Sequence, residues 1–154
     1  KERLVSPLLL KEYRNRWYLI CYDEEKRKIV TYALERMSEV LITKHNGTAP
    51  ASFSPTNFFE HTIGITTHEG QPEEVVFKAN NLAAKYISSQ PFHTTQQQVK
   101  EGKNRTAFSL NVIVTEELIR EIMSYGGDIE VISPIILRDK ISDRVVDMIK
   151  NYNL

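Results

Sequence analysis

Arg14, Arg16 and Arg36 stand close in sequence to Tyr18, Tyr22, Tyr32 and the only tryptophan, Trp17. A guanidinium fork grips a phosphate or carboxylate through two parallel hydrogen bonds, and an aromatic ring stacks on a base. An extended strand sends alternate side chains to opposite faces. Read as one strand over 14–22, the chain puts Arg14, Arg16, Tyr18, Ile20 and Tyr22 on one face. Trp17, Leu19 and Cys21 take the other, which is fit for a core. The first face mixes rings with cations, and folding alone does not require that. A strand that runs on through Glu35 gives Tyr32, Leu34 and Arg36 a shared face as well. Arg14, Arg16, Tyr18 and Arg36 therefore form a candidate anion site. Solvated strand arginines beside a half-buried Tyr18 are the plain alternative.

Other chemistry has little to stand on. His45, His61, His68 and His93 are scattered, and no pair has the helical spacing of a metal site. The sequence has no G-x-S-x-G, Walker or dinucleotide-binding glycine pattern. These absences predict no metal, no cofactor and no catalysis. Glu24-Glu25, Glu73-Glu74 and Glu116-Glu117 are sequence neighbours, which point apart in a strand or are solvated in a turn. Glu116-Glu117 suits a helix start, where negative charge meets the positive end of the dipole. Arg105, Arg120 and Arg144 read as surface ion-pair partners.

Charge sharpens the contrast along the chain. The net charge is zero, which excludes a broad electrostatic footprint for nucleic acid. Residues 1–44 nevertheless carry ten Lys/Arg against seven Asp/Glu, a surplus of three that fits a local anion pocket. Length and composition fit one ordinary globular domain or two small ones. No apolar run approaches the roughly 18 residues of a membrane helix. The single cysteine forms no internal disulfide, and with no signal-peptide pattern it points to a reducing cytoplasmic setting. The missing initiator methionine fits a segment of a longer chain.

The elements that must position these residues fall into two rhythms. Residues 4–44 read as four short strands: Leu4–Leu10, Trp17–Tyr22, Ile29–Leu34 and Met37–Thr43. Pro7 marks the first as an edge strand or bend, and Asp23–Lys28 is a charged hairpin loop. Such spacing predicts a small curled sheet or barrel. Ser54 and Pro55 open a short helix expected to end near Gly64. His68–Pro72 reads as a boundary, which divides the chain into 1–70 and 71–154. The second part reads as strand Glu73–Ala79, a helix capped by Asn80 or Asn81, and a hairpin of Phe92–Val99 with Thr106–Val114. Next come a helix capped by Thr115, a strand Ile129–Ile132 and a final helix from Pro134, with Ile141, Val145, Met148, Ile149 and Tyr152 on one face. That β-α-β-β-α-β order is the ferredoxin-like arrangement.

Arg16-Trp17-Tyr18-Leu19 followed by Leu34-Glu35-Arg36-Met37 resembles the two-part signature of the bacterial WYL-domain proteins. The stretches at Gln90–His93, Tyr125–Val131 and Pro134–Arg138 resemble the extension that often follows that domain. The chain departs slightly in carrying Glu35 and Tyr32 where Asp and Phe are commoner. The resemblance implies an α+β protein: an SH3/Sm-like small β-barrel followed by a ferredoxin-like α/β sandwich. It implies a sensory and dimerisation region of a transcription regulator whose DNA-binding domain precedes this segment. The implied effector is a nucleotide or single-stranded nucleic acid, bound by Arg14, Arg16, Tyr18 and Arg36. Arg138 matches a position typical of the extension, and His93 sits in another, so both are candidate contacts of the second part. The alternative is a protein-interaction module that recognises an acidic or aromatic peptide. On either reading Trp17 is expected in the core.

Overall fold

The computed structural model describes residues 1–44, 46–67 and 70–152. His45 and His68, two of the four histidines weighed as ligands, lie outside the described residues, as does part of the expected boundary loop. The chain divides into two compact units, Lys1–Glu60 and His61–Leu154. Among the described residues the protein is mixed α+β, with one antiparallel sheet of three strands and another of four. No helix among them is long and apolar enough to cross a membrane.

The first unit is built on β1 (Val5–Tyr13), β2 (Arg16–Asp23) and β3 (Lys28–Ala33) in that spatial order. β1 is an edge strand, and the register slips between Pro7 and Leu9, where proline cannot donate to a ladder. Tyr13 pairs with Arg16 across a two-residue turn. Both turn residues, Arg14 and Asn15, have positive φ, as a hairpin twisted to match its strands requires. The β2–β3 turn is held by Asp23, whose fully buried carboxylate accepts from the amides of Glu25 and Lys26 and from the Tyr32 hydroxyl. Ser54 does cap a helix, α1 (Pro55–Phe58), but α1 ends at Phe58, well before Gly64. Phe58 packs against Phe53 and Phe59 at ring separations of 5.3 and 5.0 Å.

Three expectations for this unit fail. Residues 37–43 form no strand, and Val40, Leu41 and Ile42 are almost wholly exposed. Glu39 adopts φ 53°, which breaks the extended run before its apolar residues. β3 ends at Ala33, and the chain then turns through a 3-10 helix, Leu34–Arg36. With three strands and no fourth, no barrel closes among the described residues.

The second unit follows its predicted order closely. β4 (Glu73–Asn80), α2 (Asn81–Ser89), β5 (Gln97–Glu101), β6 (Arg105–Val112), α3 (Glu116–Met123), β7 (Ile129–Ser133) and α4 (Ile135–Asn151) build a sheet in the order β5-β6-β4-β7. Asn80 accepts from the amides of Leu82 and Ala83, and Thr115 from that of Leu118, so both caps do what their residue types favour. β4 and β6 alternate cleanly: Val75, Phe77 and Ala79 are buried beside Phe108, Leu110 and Val112. Phe77 stacks on both Phe92 and Phe108 at 5.5 Å, and the helices add Ile87, Leu118, Ile119 and Leu137. The expected strand from Phe92 is shorter, since residues 92–96 run as a loop.

Glu117 is the unforeseen member of this unit. It is buried, with Oε1 accepting from the Thr66 hydroxyl (2.8 Å) and the Ile65 amide (3.4 Å). Gly64, at φ +94°, sits so close that a Cβ there would meet Glu117 Cγ at 2.6 Å. The His61 carbonyl accepts from the Ile113 amide as well. These contacts tie 61–66 to the second unit, ahead of the boundary expected at His68–Pro72.

Candidate functional site at the hairpin tip

The β1–β2 hairpin and the 3-10 helix after β3 bring three of the four predicted residues to one end of the small sheet. Arg16 opens β2, and Tyr18 lies between Lys11 and Ala33 in the ladders. Leu34–Arg36 follows Ala33 directly. Arg16 Nη1 and Glu35 Oε1 form an ion pair at 3.1 Å, which joins the start of β2 to the residue beside Arg36. Arg36 is exposed and has no ion pair or hydrogen bond among the described residues. Tyr18 is half-buried.

Arg14 does not share a strand face with Arg16, because it occupies the turn. Its guanidinium instead lies over the Tyr13 ring, 5.6 Å from the centroid. Lys11, which the sequence did not single out, shares the Tyr18 side. Its Nζ sits 4.0 Å from the centre of the Phe59 ring, and burial lowers its pKa from the ordinary lysine range. Its place opposite Tyr18 was the available signal, but that depends on a register only pairing reveals.

The two faces of β2 are not the core and solvent sides that parity proposed. Ile20 and Cys21, on opposite faces, are both fully buried, while Trp17 at the tip is 52% exposed. Burial therefore changes along the strand rather than across it. Burial and the nearby Asp23 carboxylate push the Cys21 thiol up to about 11.

The second unit offers weaker sites. Arg138 is exposed on α4, and its side chain has no hydrogen bond or ion pair among the described residues. His93 is held locally: its Nδ1 accepts from the Thr95 amide (3.2 Å) and lies 2.9 Å from the Thr95 hydroxyl. A groove of about 600 Å³ between α3 and α4 is lined by Glu116, Arg120, Met123 and Arg144, among others. Arg144 holds Glu116 at 2.5 Å, Arg120 adds a second contact, and together they keep that carboxyl below its usual pKa. This cluster pins α4 to α3 with its charges already matched. No group of three metal-ligating side chains occurs among the described residues.

The end of the small sheet gathers cations and aromatic rings, the chemistry of an anion-binding surface. Comparison with known families places the chain in a class. The WCX domain family model matches residues 71–149, more than half of the chain, and the WYL domain family model matches residues 1–42. The chain belongs to the WCX domain family, with a WYL domain ahead of the WCX region. No curated protein matches it. Among solved structures, proteasome accessory factor B/C (PafBC) of Arthrobacter aurescens is similar at 20% identity and a TM-score of 0.37. That match covers 90% of this chain and 21% of the PafBC chain, so this chain spans about a fifth of the protein it resembles.

Proposed function

We propose that this chain is the effector-sensing and dimerisation region of a bacterial transcription regulator, and that Arg16, Arg36, Tyr18 and Arg14 bind an anionic effector. The effector is a nucleotide or single-stranded nucleic acid. The observation that carries this reading is the Arg16–Glu35 pair, which ties Arg16 to the residue next to the exposed Arg36 in the chain. Two guanidinium groups there can share a phosphate, and Tyr18 supplies a ring beside them. Exposed ion pairs are worth at most about 1 kcal/mol, so a phosphate can displace Glu35 from Arg16 at small cost.

On this reading residues 1–70 are a WYL module of SH3/Sm-like ancestry and 71–154 a ferredoxin-like extension. The second description is supported by the β-α-β-β-α-β order and the sheet order β5-β6-β4-β7. Binding is the whole activity, without catalysis, in the cytoplasm. Homodimerisation through the extension has its support in α4, where Ile135, Val145, Val146, Met148, Ile149 and Tyr152 remain exposed. DNA is contacted by a separate domain of the regulator, and the effector acts by preferring one arrangement of it. Arg138 and His93 are second-unit contacts in that assembly.

Titration of nucleotides and short oligonucleotides into wild type and Arg36→Ala tests the reading. Wild type should bind with affinity that falls steeply with salt, and Arg36→Ala should lose several-fold. Equal affinity for the two proteins, or no binding by wild type, rejects the site. A peptide-binding module is the second reading. The open edge of β1 and the bare Val40–Ile42 run favour it, and it predicts capture of a protein without co-purifying nucleic acid.

A further inference from the structure

The chain passes from the first unit to the second between Glu60 and His61. Residues 61–66 belong to no helix or strand, yet they are fastened to the second unit at both ends. At one end the His61 carbonyl accepts from the Ile113 amide at 2.8 Å, just past the end of β6. At the other, the Thr66 hydroxyl and the Ile65 amide both donate to Glu117 Oε1. Between them Ile63 is buried in the apolar core. Gly64, at φ +94°, lets the backbone pass against the Glu117 side chain, where a Cβ would collide.

This docking also carries a cost. Glu117 Oε2 and Thr62 Oγ1 are both buried and have no hydrogen-bond partner among the described residues. Each forgoes the hydration it would have in water, and native chains keep few such groups. On release both regain water, while Ile63 loses its burial and Glu117 Oε1 its two donors. Opposed terms of this kind make lifting the segment far easier than opening the core beneath it. The grip itself stays in place. Glu116, next to Glu117, is held by Arg144 of α4 and by Arg120, which fixes the first turn of α3.

We propose that residues 61–66 are a releasable strap and that Glu117 is its latch. Docked, the strap makes His61 the chain's point of entry into the second unit. Released, its six residues join the link between the two units and extend its reach by up to roughly 20 Å. A short link couples two units closely and a longer one loosens them. Glu117 is thus a positioning residue for the linker. This device stands whether or not the anion site binds a phosphate.

Hydrogen exchange of the 154-residue chain reads the strap at both ends, through the Ile65 amide on Glu117 and the Ile113 amide on His61. In wild type both amides should exchange through a local opening, faster than the core amides of β4 and β6. Glu117→Ala should speed both by roughly 10- to 100-fold and leave β4 and β6 unchanged. The Ile113 amide decides the matter, because its partner is His61 and not Glu117. Glu117→Gln keeps an acceptor for Thr66 and Ile65 and should hold the strap near its wild-type state. Gly64→Ala, whose Cβ would meet Glu117 Cγ at 2.6 Å, should release the strap from the other side. Small-angle scattering should show a larger maximum dimension for Glu117→Ala than for wild type or Glu117→Gln. If Glu117→Ala speeds the Ile65 amide alone, Glu117 merely caps that amide and no strap exists. If β4 and β6 accelerate together with Ile113, Glu117 is part of the core and the latch is wrong. If Ile113 accelerates but the maximum dimension is unchanged, the strap does not lengthen the link and its role between the units falls.

Discussion

The two units are stabilised by different means. The second buries a continuous apolar core, from Val75, Phe77 and Phe108 on the sheet to Ile87, Leu118 and Leu137 on the helices. The first fully buries few apolar side chains, Ile20 and Cys21 among them, and holds its turns with polar groups. Asp23 organises the β2–β3 turn, and Ser6 bridges the Glu24 carboxylate and the Thr48 amide. A sheet fastened mainly at one end leaves the other end free for cations and rings. In the second unit Arg105, Arg120 and Arg144 are already matched with carboxylates, and Arg138 stands apart from them on α4.

The largest effect should come from the apolar core. Phe77→Ala removes the ring at the centre of the aromatic stack and should cost about 3–5 kcal/mol. Hydrogen exchange should rise across β4, β6 and α2. A loss under about 1 kcal/mol would show that the contrast between the units is overdrawn. Asn80→Ala removes a cap that serves two amides and should cost about 1 kcal/mol, read from the thermal midpoint.

The first unit should instead show its weakness in acid. The Lys26 amide, the Tyr32 hydroxyl and nearby cations hold the Asp23 pKa below its ordinary value, against the opposing effect of burial. A carboxyl depressed in the folded state adds stability above its unfolded pKa and withdraws it as pH falls through the folded one. Protection of the Glu25 and Lys26 amides, taken relative to their intrinsic exchange rates, should therefore fall below about pH 4, and Asp23→Asn should remove that acid step. Undiminished protection in wild type down to about pH 2 would contradict the role given to Asp23. The smallest stability effect belongs to Arg16→Ala, within about 0.5 kcal/mol because its ion pair is exposed. The same substitution should weaken oligonucleotide binding several-fold, which separates binding from folding.

Local chemistry made much of this legible in the sequence. Ser54 with Pro55, Asn80 and Thr115 each announced a helix start, because a cap is a contact between near neighbours. Alternation in β4 and β6 identified the core face of the larger sheet. The same rule misled at Trp17. Parity says which residues share a face, but what covers that face depends on tertiary packing. Val40–Thr43 has strand composition without a strand, since pairing needs a partner edge that composition cannot supply. In sequence Glu117 reads as a solvated helix-start carboxylate, because only the fold brings Gly64 and Thr66 against it. At the site, Arg16 and Arg36 were legible through their types, while Glu35 and Lys11 needed the register.

Cys21 gives the smaller unit a clock of its own. A thiol buried and raised to about 11 holds almost no thiolate at neutral pH, and thiolate is the form that alkylates. The chain has no other sulfhydryl. Each covalent tag from a thiol reagent therefore marks one opening of the three-stranded sheet, and the tagging rate should time that event while the larger sheet stays silent.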